Sequence, residues 1–152
     1  MKKVDKIFIY ADGGCRGNQF KTNVGGYGVV IMYGDAIEEF YGAQKNTTNN
    51  IMELTSAIRG LEEVKYTHVP VEVVMDSQYV VKGINERSDH WLGNGWKTVN
   101  GDDVKNKELW ERLIELKAQF KDITFSHCKG HSDCYGNNMA DQLANFAMDE
   151  RR

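Results

Sequence analysis

The sequence predicts an α/β fold with a mixed β-sheet, and the order of its segments carries this prediction. Three β-rich segments come first, at 5–12, 25–35 and 38–46, and a tight turn at Tyr33-Gly34-Asp35 joins the last two into an antiparallel meander. Helical and β-rich segments then alternate along the chain, which predicts parallel strands added through right-handed crossovers.

The later elements follow from apolar periodicity and from breaker residues. A glycine-rich turn is predicted after the first strand, and the glycines of GGYG, 25–28, belong to the second strand because no helix follows them. The elements predicted after the meander are a helix at 49–66 behind an asparagine N-cap, a strand at 71–76 after Pro70, a short helix at 76–84 capped by Ser77 or Asp76, a projecting loop or helix-turn element at 85–101, a helix at 105–120, a strand at 121–129, a loop at 130–136 and a helix at 137–149.

Length and composition predict a single domain over 1–152, ordered at about 5–149, in the cytoplasm. The chain has 152 residues, 41% of them hydrophobic, and shows neither a spanning-length apolar stretch nor the apolar block of a signal peptide. Three cysteines are too few for a disulfide framework and favour a reducing compartment. The net charge of -3 gives no overall bias toward polyanions, so a nucleic acid would have to bind through a local surface.

Four carboxylates are candidates for one shared site. Asp12 in YADGG and Asp76 in MDSQ each end a predicted strand, and the carboxyl ends of neighbouring parallel strands form a crevice in which ligands bind. Glu53 lies at the edge of the apolar stripe of its helix, and Asp141 flanks the apolar side of the last helix. For Asp12, Asp76 or Glu53 taken alone, an ordinary turn, cap or first-turn position is the favoured explanation, whereas for Asp12 and Asp76 together a shared site is an equally good explanation.

Carboxylates that converge in this way point to a metal site. Four like charges in one cleft repel one another and raise one another's pKa values unless divalent cations compensate. Oxygen ligands suit Mg²⁺ or Mn²⁺, and such sites commonly serve phosphoryl transfer. A two-metal site holds its ions about 3.5–4 Å apart and needs three or four carboxylates, so the sequence predicts such a site as a hypothesis.

Five short motifs, taken together in this order and spacing, carry a family resemblance: YADGGCRGN at 10–18, NNIMEL at 49–54, MDSQYV at 75–80, KGHS at 129–132 and ADQLA at 140–144. The chain resembles type 1 ribonuclease H, in particular the bacterial single-domain enzymes, from about Lys6 to Ala147. The resemblance implies a ribonuclease H-like fold, with a five-stranded mixed sheet of three antiparallel and two parallel strands and helices on both faces. It also implies Mg²⁺-dependent endonucleolytic hydrolysis of the RNA strand of RNA/DNA hybrids, leaving 5′-phosphate and 3′-hydroxyl ends.

The resemblance further implies a role for each carboxylate. Asp12 would bridge two Mg²⁺ ions, for which Mn²⁺ is a substitute. Glu53 and Asp76 would complete one metal site, and Asp141 would serve the other.

His131 in KGHSD matches a family histidine that assists proton transfer or product departure. The alternative is an ordinary surface loop histidine. A zinc site made of His127, Cys128, His131 and Cys134 is disfavoured, because the spacing is not that of paired cysteine ligands.

Residues that read a hybrid must sense the 2′-hydroxyls of one strand and their absence on the other. Glycines let the backbone approach a sugar closely, and amides both donate and accept hydrogen bonds. By resemblance, the residues that contact the minor groove would be Cys15 and Gly17 through their backbones and Asn18, Asn49, Asn50 and Gln78 through their side chains. Thr48 would help to hold a DNA phosphate. The alternatives are a flexible turn for GGCRGN and helix capping for Thr48-Asn49-Asn50.

The segment Lys82 to Lys107 corresponds to a basic protrusion that helps bacterial members of the family to bind substrate. It contains Trp91, Trp96 and Lys97, which are further candidates for substrate binding, but it has only five basic residues against four acidic ones. Arg87 stands where family members often place a tryptophan against the DNA strand. Fewer phosphate contacts predict weaker and less salt-sensitive binding, and a higher KM than in a relative with a basic protrusion.

Three functions stay open from the sequence. The first is a ribonuclease acting as a monomer on RNA/DNA hybrids, with no membrane or obligate protein partner. The second is a catalytically silent hybrid-binding module, against which the complete set of four carboxylates argues. The third is a nuclease of the same fold with another nucleic acid target, such as a resolvase or integrase, against which the amides of Asn49, Asn50 and Gln78 argue.

Overall fold

The computed structural model describes residues 6–17, 23–128 and 134–151. Within them, one mixed sheet contains the strands β1 (Ile7–Arg16), β2 (Val24–Tyr33), β3 (Ala36–Lys45), β4 (Val71–Met75) and β5 (Ile123–His127), in the order β3-β2-β1-β4-β5. The first three strands are antiparallel to one another, whereas β4 is parallel to β1 and β5 is parallel to β4. The predicted five-stranded mixed sheet is confirmed.

Helices cover both faces of this sheet. They are α1 (Asn49–Glu63), α2 (Gln78–Lys82), α3 (Ser88–Gly93), α4 (Lys107–Lys117) and α5 (Tyr135–Arg151), and one π-helical turn, Gly83–Arg87, joins α2 to α3. Gly60 of α1 lies against Ile9 and Val29 on one face, whereas Gly26 lies against Ala144 of α5 on the other. Alternation along the strands therefore separates a face packed by α1 from a face packed by α5.

The first strand is longer than the sequence suggested. The predicted glycine-rich turn after position 12 is wrong, because Cys15 pairs with Gly25 and Arg16 pairs with Val24 at the start of β2. Strand pairing thus holds the glycines extended. The strand carries the backbone well past Asp12 and toward the surface.

The helix after β4 continues beyond its predicted end into the segment 85–101, where the helix-turn alternative and not the projecting loop is observed. Gly83 lies against the Trp110 indole, and a Cβ there would stand 2.8 Å from ring atom Cζ2. The Asn85 side chain donates to the Phe125 carbonyl at 2.9 Å and fastens the π-helical turn to β5. These tertiary contacts continue the helical path to Gly93.

Cys128 and Cys134 are disulfide-bonded, with their Cα atoms 6.3 Å apart. One bond is not the disulfide framework that the cysteine count argues against, and Cys15 is left as a free thiol. The pairing takes up two of the four ligands in the zinc alternative. No helix in the described part of the chain is both long and apolar enough to cross a membrane.

Candidate active site

Asp12 lies within the central strand β1, where it pairs with Gly28 of β2 and is only 8% exposed. On the other side of β1, the parallel register with β4 places Tyr10 opposite Val74. Continuing this register by two residues brings Asp12 level with Asp76, which directly follows β4. The two aspartates therefore meet where β4 ends beside the middle of β1.

Ser77, and not Asp76, caps the helix that follows β4. The Ser77 hydroxyl accepts the Val80 N–H at 3.3 Å, whereas Asp76 itself is exposed. Because the serine takes the capping role, the Asp76 carboxylate is left to face the other acidic groups.

Glu53 reaches the site through a close approach of α1 to β1 at Gly13. A Cβ on Gly13 would overlap the carbonyl group of Met52 and would stand 2.7 Å from the Glu53 backbone nitrogen, so only glycine fits. The Gly13 N–H also donates to Glu53 Oε1 at 2.8 Å. The same glycine therefore brings the helix close and orients the glutamate.

Asp141 reaches the site through a second close approach, that of α5 to β2 at Gly28. A Cβ on Gly28 would overlap the Ala140 carbonyl and would stand 2.9 Å from the Ala144 nitrogen. Since Gly28 is the strand partner of Asp12, this contact sets Asp141 beside Asp12, whose pKa the Asp141 carboxyl helps to raise.

The acidic cluster, defined as Asp12, Glu53, Asp76 and Asp141, is compact at its centre. One oxygen from each of Asp12, Glu53 and Asp76 lies within 4.8 Å of the others. Among the described residues, these three carboxylates form a group whose oxygens are close enough together to hold a metal ion. Asp141 adjoins this triad from the side of Asp12. Four separate elements thus converge on one small volume.

Burial and mutual repulsion change the proton affinity of the two inner carboxyls. Burial comes first, followed by the charges of Glu53 and Asp76, and together they raise the pKa of Asp12 from 3.8 to about 9. Burial and the charge of Asp76 raise the pKa of Glu53 from 4.5 to about 8, although the Gly13 N–H stabilises its charged form. The sequence predicts such a rise in pKa for carboxylates that converge in one cleft.

The donor set fits a hard divalent cation. Carboxylate oxygens are the ligands that Mg²⁺ and Mn²⁺ prefer, and a cation among them would offset the repulsion that otherwise keeps protons on Asp12 and Glu53. The carboxylates are also held from outside, by the Gly13 N–H on Glu53 and by close helix packing on both faces of the sheet. Asp12, Glu53 and Asp76 could therefore hold a divalent cation without rearrangement.

The start of α1 presents three exposed candidates for substrate binding. Thr48 is the N-cap, since its hydroxyl accepts the Ile51 N–H at 3.1 Å, so the expected asparagine cap is wrong. Asn49 and Asn50 then begin the helix with their side chains exposed. All three line a recess of about 350 Å³ together with Asn23 and Thr47.

Asn23 was missed by the sequence reasoning. Its side chain accepts the Thr47 N–H at 2.8 Å and donates to the Thr47 carbonyl at 3.0 Å, while its own carbonyl accepts the Asn46 N–H at 3.1 Å. It holds the segment before α1 against the start of β2 and thereby positions Thr48. A contact between residues so far apart in sequence leaves no local motif that would reveal it.

The other described minor-groove candidates are Cys15, Gly17 and Gln78. Cys15 is half-buried, and its thiol donates to the Thr47 carbonyl at 3.6 Å. Gly17 is exposed with φ of 70°, a left-handed conformation that favours glycine, and Gln78 is exposed at the start of α2. Asn18 and His131 lie outside the described residues.

The protrusion candidates divide into a packing pair and a surface lysine. Trp91 is buried, with its ring 5.8 Å from Trp96 and 5.0 Å from Trp110, so the structure gives it a packing role. Trp96 is half-buried. Lys97 is exposed, but it forms an ion pair with Asp103 and lowers the pKa of that carboxyl. The positive charge of the protrusion is thus reduced further.

Comparison with known proteins gives consistent results. A family model described as RNase H matches residues 4–149. A ribonuclease H of Ruthia magnifica subsp. Calyptogena magnifica is 48% identical over 97% of this chain and 98% of the relative. One from Clostridium botulinum is 47% identical over 95% of this chain and 97% of the relative. The N-terminal RNase H domain of a Mycobacterium tuberculosis protein, solved as a fusion with maltose-binding protein, aligns with a TM-score of 0.74 at 31% identity over 94% of this chain and 98% of that one.

Proposed function

The chain belongs to the ribonuclease H family of endoribonucleases, and on this premise we propose that it hydrolyses the RNA strand of RNA/DNA hybrids as a single catalytic unit. The proposed reaction uses two metal ions and leaves 5′-phosphate and 3′-hydroxyl ends. The observation that carries the proposal is the acidic cluster, in which Asp12, Glu53 and Asp76 offer oxygens within 4.8 Å of one another.

The acidic cluster would hold two Mg²⁺ ions, for which Mn²⁺ is a substitute. Asp12, at the centre, would contact both ions, with Glu53 and Asp76 completing one site and Asp141 serving the other. When bound, the ions supply the positive charge that assists attack by water and departure of the 3′-oxygen.

The protein itself holds the carboxylates in a fixed orientation. Asp12 is fixed on a strand paired on both sides, and the Gly13 N–H holds Glu53 in place before any ligand arrives. Groups that are already oriented need no rearrangement when the substrate binds, and this lowers the entropic part of the barrier. We propose that His131 assists proton transfer or product departure.

Recognition of the hybrid is assigned to the surface around the start of α1. Asn49, Asn50 and Gln78 have exposed amides that donate to or accept from 2′-hydroxyls and base edges, and the Gly17 backbone lies open to a sugar. Thr48 would help to hold a phosphate of the DNA strand. Cys15 and Asn18 complete the proposed minor-groove contacts.

The test is cleavage of an end-labelled RNA/DNA hybrid by the purified protein with Mg²⁺. Duplex DNA and duplex RNA are run in parallel. We expect cleavage of the RNA strand of the hybrid only, and its complete loss in EDTA and in the Asp12→Asn variant. Asp122→Asn is the matched control, because Asp122 is exposed and directly precedes β5 at the opposite edge of the sheet.

Each outcome separates the alternatives. Hybrid binding without cleavage would favour the silent binding module, and cleavage of duplex DNA would favour a nuclease with another target. Loss of activity in Asp122→Asn as well would show that the Asp12 result reflects damaged folding and not removal of the cluster.

A further inference from the structure

Arg16, at the end of β1, is bound to α5 by three hydrogen bonds. Its Nη1 donates to Asp149 Oδ1 at 2.6 Å, and its Nη2 donates to the Asn145 side-chain oxygen at 2.8 Å and to the Asn145 carbonyl at 3.4 Å. The arginine side chain is nevertheless 39% exposed, and that of Asp149 is 56% exposed. The guanidinium is therefore held in one orientation while part of it faces solvent.

Arg16 lines a recess that two residues of the acidic cluster also line. This recess of about 210 Å³ has Asp12, Asp141, Arg16 and Asn145 among its lining residues. Of the described residues that line it, Arg16 is the one with a positive charge. From Asp12, β1 runs four residues to Arg16, about 13 Å at the usual rise of a strand. A nucleic acid strand with one phosphate at the cluster would bring a phosphate further along the same strand toward Arg16.

The segment 82–107 offers few free positive charges for binding phosphates, so a phosphate contact elsewhere would contribute more to substrate binding. The segment 82–107 has five basic and four acidic residues, and its Lys97 is already paired with Asp103. An arginine presents a planar set of donors that matches a phosphate, so it is the side chain best suited to hold one. The ion pair with Asp149 is exposed, and exposed pairs contribute only about 0–1 kcal/mol, so giving it up costs little.

We propose that Arg16 binds a backbone phosphate of the RNA strand close to, but not adjacent to, the one that is cleaved, and that Asp149 competes with that phosphate for the guanidinium. The assignment rests on the proposed function, since the strand in the recess is the strand whose phosphate reaches the acidic cluster. Asn145 keeps the arginine over the recess in both states.

The alternative is a purely structural clamp between β1 and α5, and two substitutions separate it from the proposal. Under the proposal, Arg16→Ala raises KM by up to about fivefold with kcat unchanged, since exposed charge contacts are worth at most about 1 kcal/mol. It also lowers the slope of log KM against log salt by about one. Asp149→Asn acts in the opposite direction and lowers KM, because it releases the guanidinium. A structural clamp would make both substitutions act alike.

The experiment is steady-state cleavage of a hybrid over a range of KCl concentrations by the wild type, Arg16→Ala, Arg16→Lys, Asp149→Asn and the control Arg112→Ala. Arg112 of α4 is a similarly exposed arginine that pairs with Glu62 of α1 and with Glu115 of α4. Its substitution therefore controls for the change in net charge. Binding of a fluorescent hybrid is measured in the non-cleaving Asp12→Asn background as a second readout. Arg16→Lys is expected to keep the salt slope of the wild type.

The proposal is overturned if Arg16→Ala and Asp149→Asn both lower kcat and thermal stability while the salt slope stays at the wild-type value. It is also overturned if Arg112→Ala changes the slope as much as Arg16→Ala does. A wild-type protein that cleaves no hybrid would remove the proposed function and this assignment together. Normal wild-type cleavage with unaffected Arg16 variants would remove this assignment alone.

Discussion

At the scale of single residues, Asp12 and Glu53 hold their protons to unusually high pH. The pKa of Asp12 is raised from 3.8 to about 9, and that of Glu53 from 4.5 to about 8. Between these limits the folded protein binds more protons than the unfolded chain, so its stability falls as pH rises. We expect the free energy of unfolding in EDTA to decline from about pH 4 to about pH 9.

Urea denaturation across that pH range in EDTA measures this effect. Asp12→Asn removes the carboxyl whose pKa is raised most, so it is expected to flatten the decline and to be more stable than the wild type at the alkaline end. Asp122→Asn is expected to follow the wild-type curve. A wild-type stability that rises steadily with pH over this range would contradict the assigned pKa directions.

Gly28 illustrates a second residue-scale effect, in which the absence of a side chain positions a catalytic group. We expect Gly28→Ala to lose about 1–3 kcal/mol of stability, as overpacked sites do, because its Cβ would meet the backbone of α5. Displacement of Asp141 by even about 1 Å is expected to lower kcat on the order of 100-fold. Thermal denaturation and hybrid cleavage measure the two effects.

Gly93→Ala is the control for this substitution. Nothing lies within 4 Å of the place its Cβ would take, so stability and kcat are expected to stay near the wild-type values. Equal kcat in Gly28→Ala and the wild type would show that α5 tolerates the displacement and that Gly28 does not set the position of Asp141.

The sequence could predict the acidic candidates and a meeting of Asp12 with Asp76 on neighbouring parallel strands, but not what brings Glu53 and Asp141 to them. Asp12 and Asp76 stand out because a carboxylate ends an apolar run, which is a local signal. The contacts of Gly13 with Met52 and of Gly28 with Ala140 join residues distant in the chain. Such contacts depend on how the helices pack on the sheet, and a local sequence pattern does not determine this packing.

At the scale of elements, prediction failed where tertiary contacts override local preference. Glycines are weak strand formers, so the sequence alone predicts a turn after position 12. Pairing along the whole of β2 nevertheless keeps this stretch extended. The helix after β4 was likewise predicted to end near 84, but contacts of Gly83 and Asn85 with other elements carry it to Gly93. By contrast, α1 has strong apolar periodicity, and its predicted range differs from the observed one mainly by its last turn.

The disulfide between Cys128 and Cys134 ties the end of β5 to the start of α5, and α5 carries Asp141. A bond that closes a loop of seven residues restricts the unfolded chain by about 2 kcal/mol in the chain-entropy model. We therefore expect dithiothreitol to lower the free energy of unfolding by about 2 kcal/mol. Guanidinium denaturation with and without the reductant measures the difference.

Two variants make this measurement specific. Cys134→Ser is expected to be insensitive to dithiothreitol, whereas Cys15→Ser is expected to respond as the wild type does, because Cys15 is outside the bond. A wild-type protein whose stability is the same in both conditions, with the bond shown to be reduced, would mean that the cross-link does not contribute to stability.

At the scale of the whole molecule, the acidic cluster exists only when β1, α1, β4 and α5 are all in place. The unfolded chain spreads these carboxylates over about 130 positions, from Asp12 to Asp141. A divalent cation that binds the cluster therefore binds the folded protein in preference to the unfolded one, and binding stabilises the fold by mass action. The concentrated negative charge of the carboxylates destabilises the ion-free protein at high pH, and the same charge attracts the cation.

We expect Mg²⁺ to raise the melting temperature, and to do so more at about pH 9 than at about pH 6, because at the lower pH protons occupy Asp12 and Glu53 and compete with the metal. At a Mg²⁺ concentration 100 times the dissociation constant, the gain is about 2.7 kcal/mol. Thermal denaturation monitored by circular dichroism, with Mg²⁺ against EDTA at both pH values, measures it. Glu53→Gln is expected to lose most of the gain and Asp122→Asn to keep it. A gain of equal size in Glu53→Gln would place the stabilising ion elsewhere on the protein, and a gain that shrinks as pH rises would contradict the competition between protons and metal.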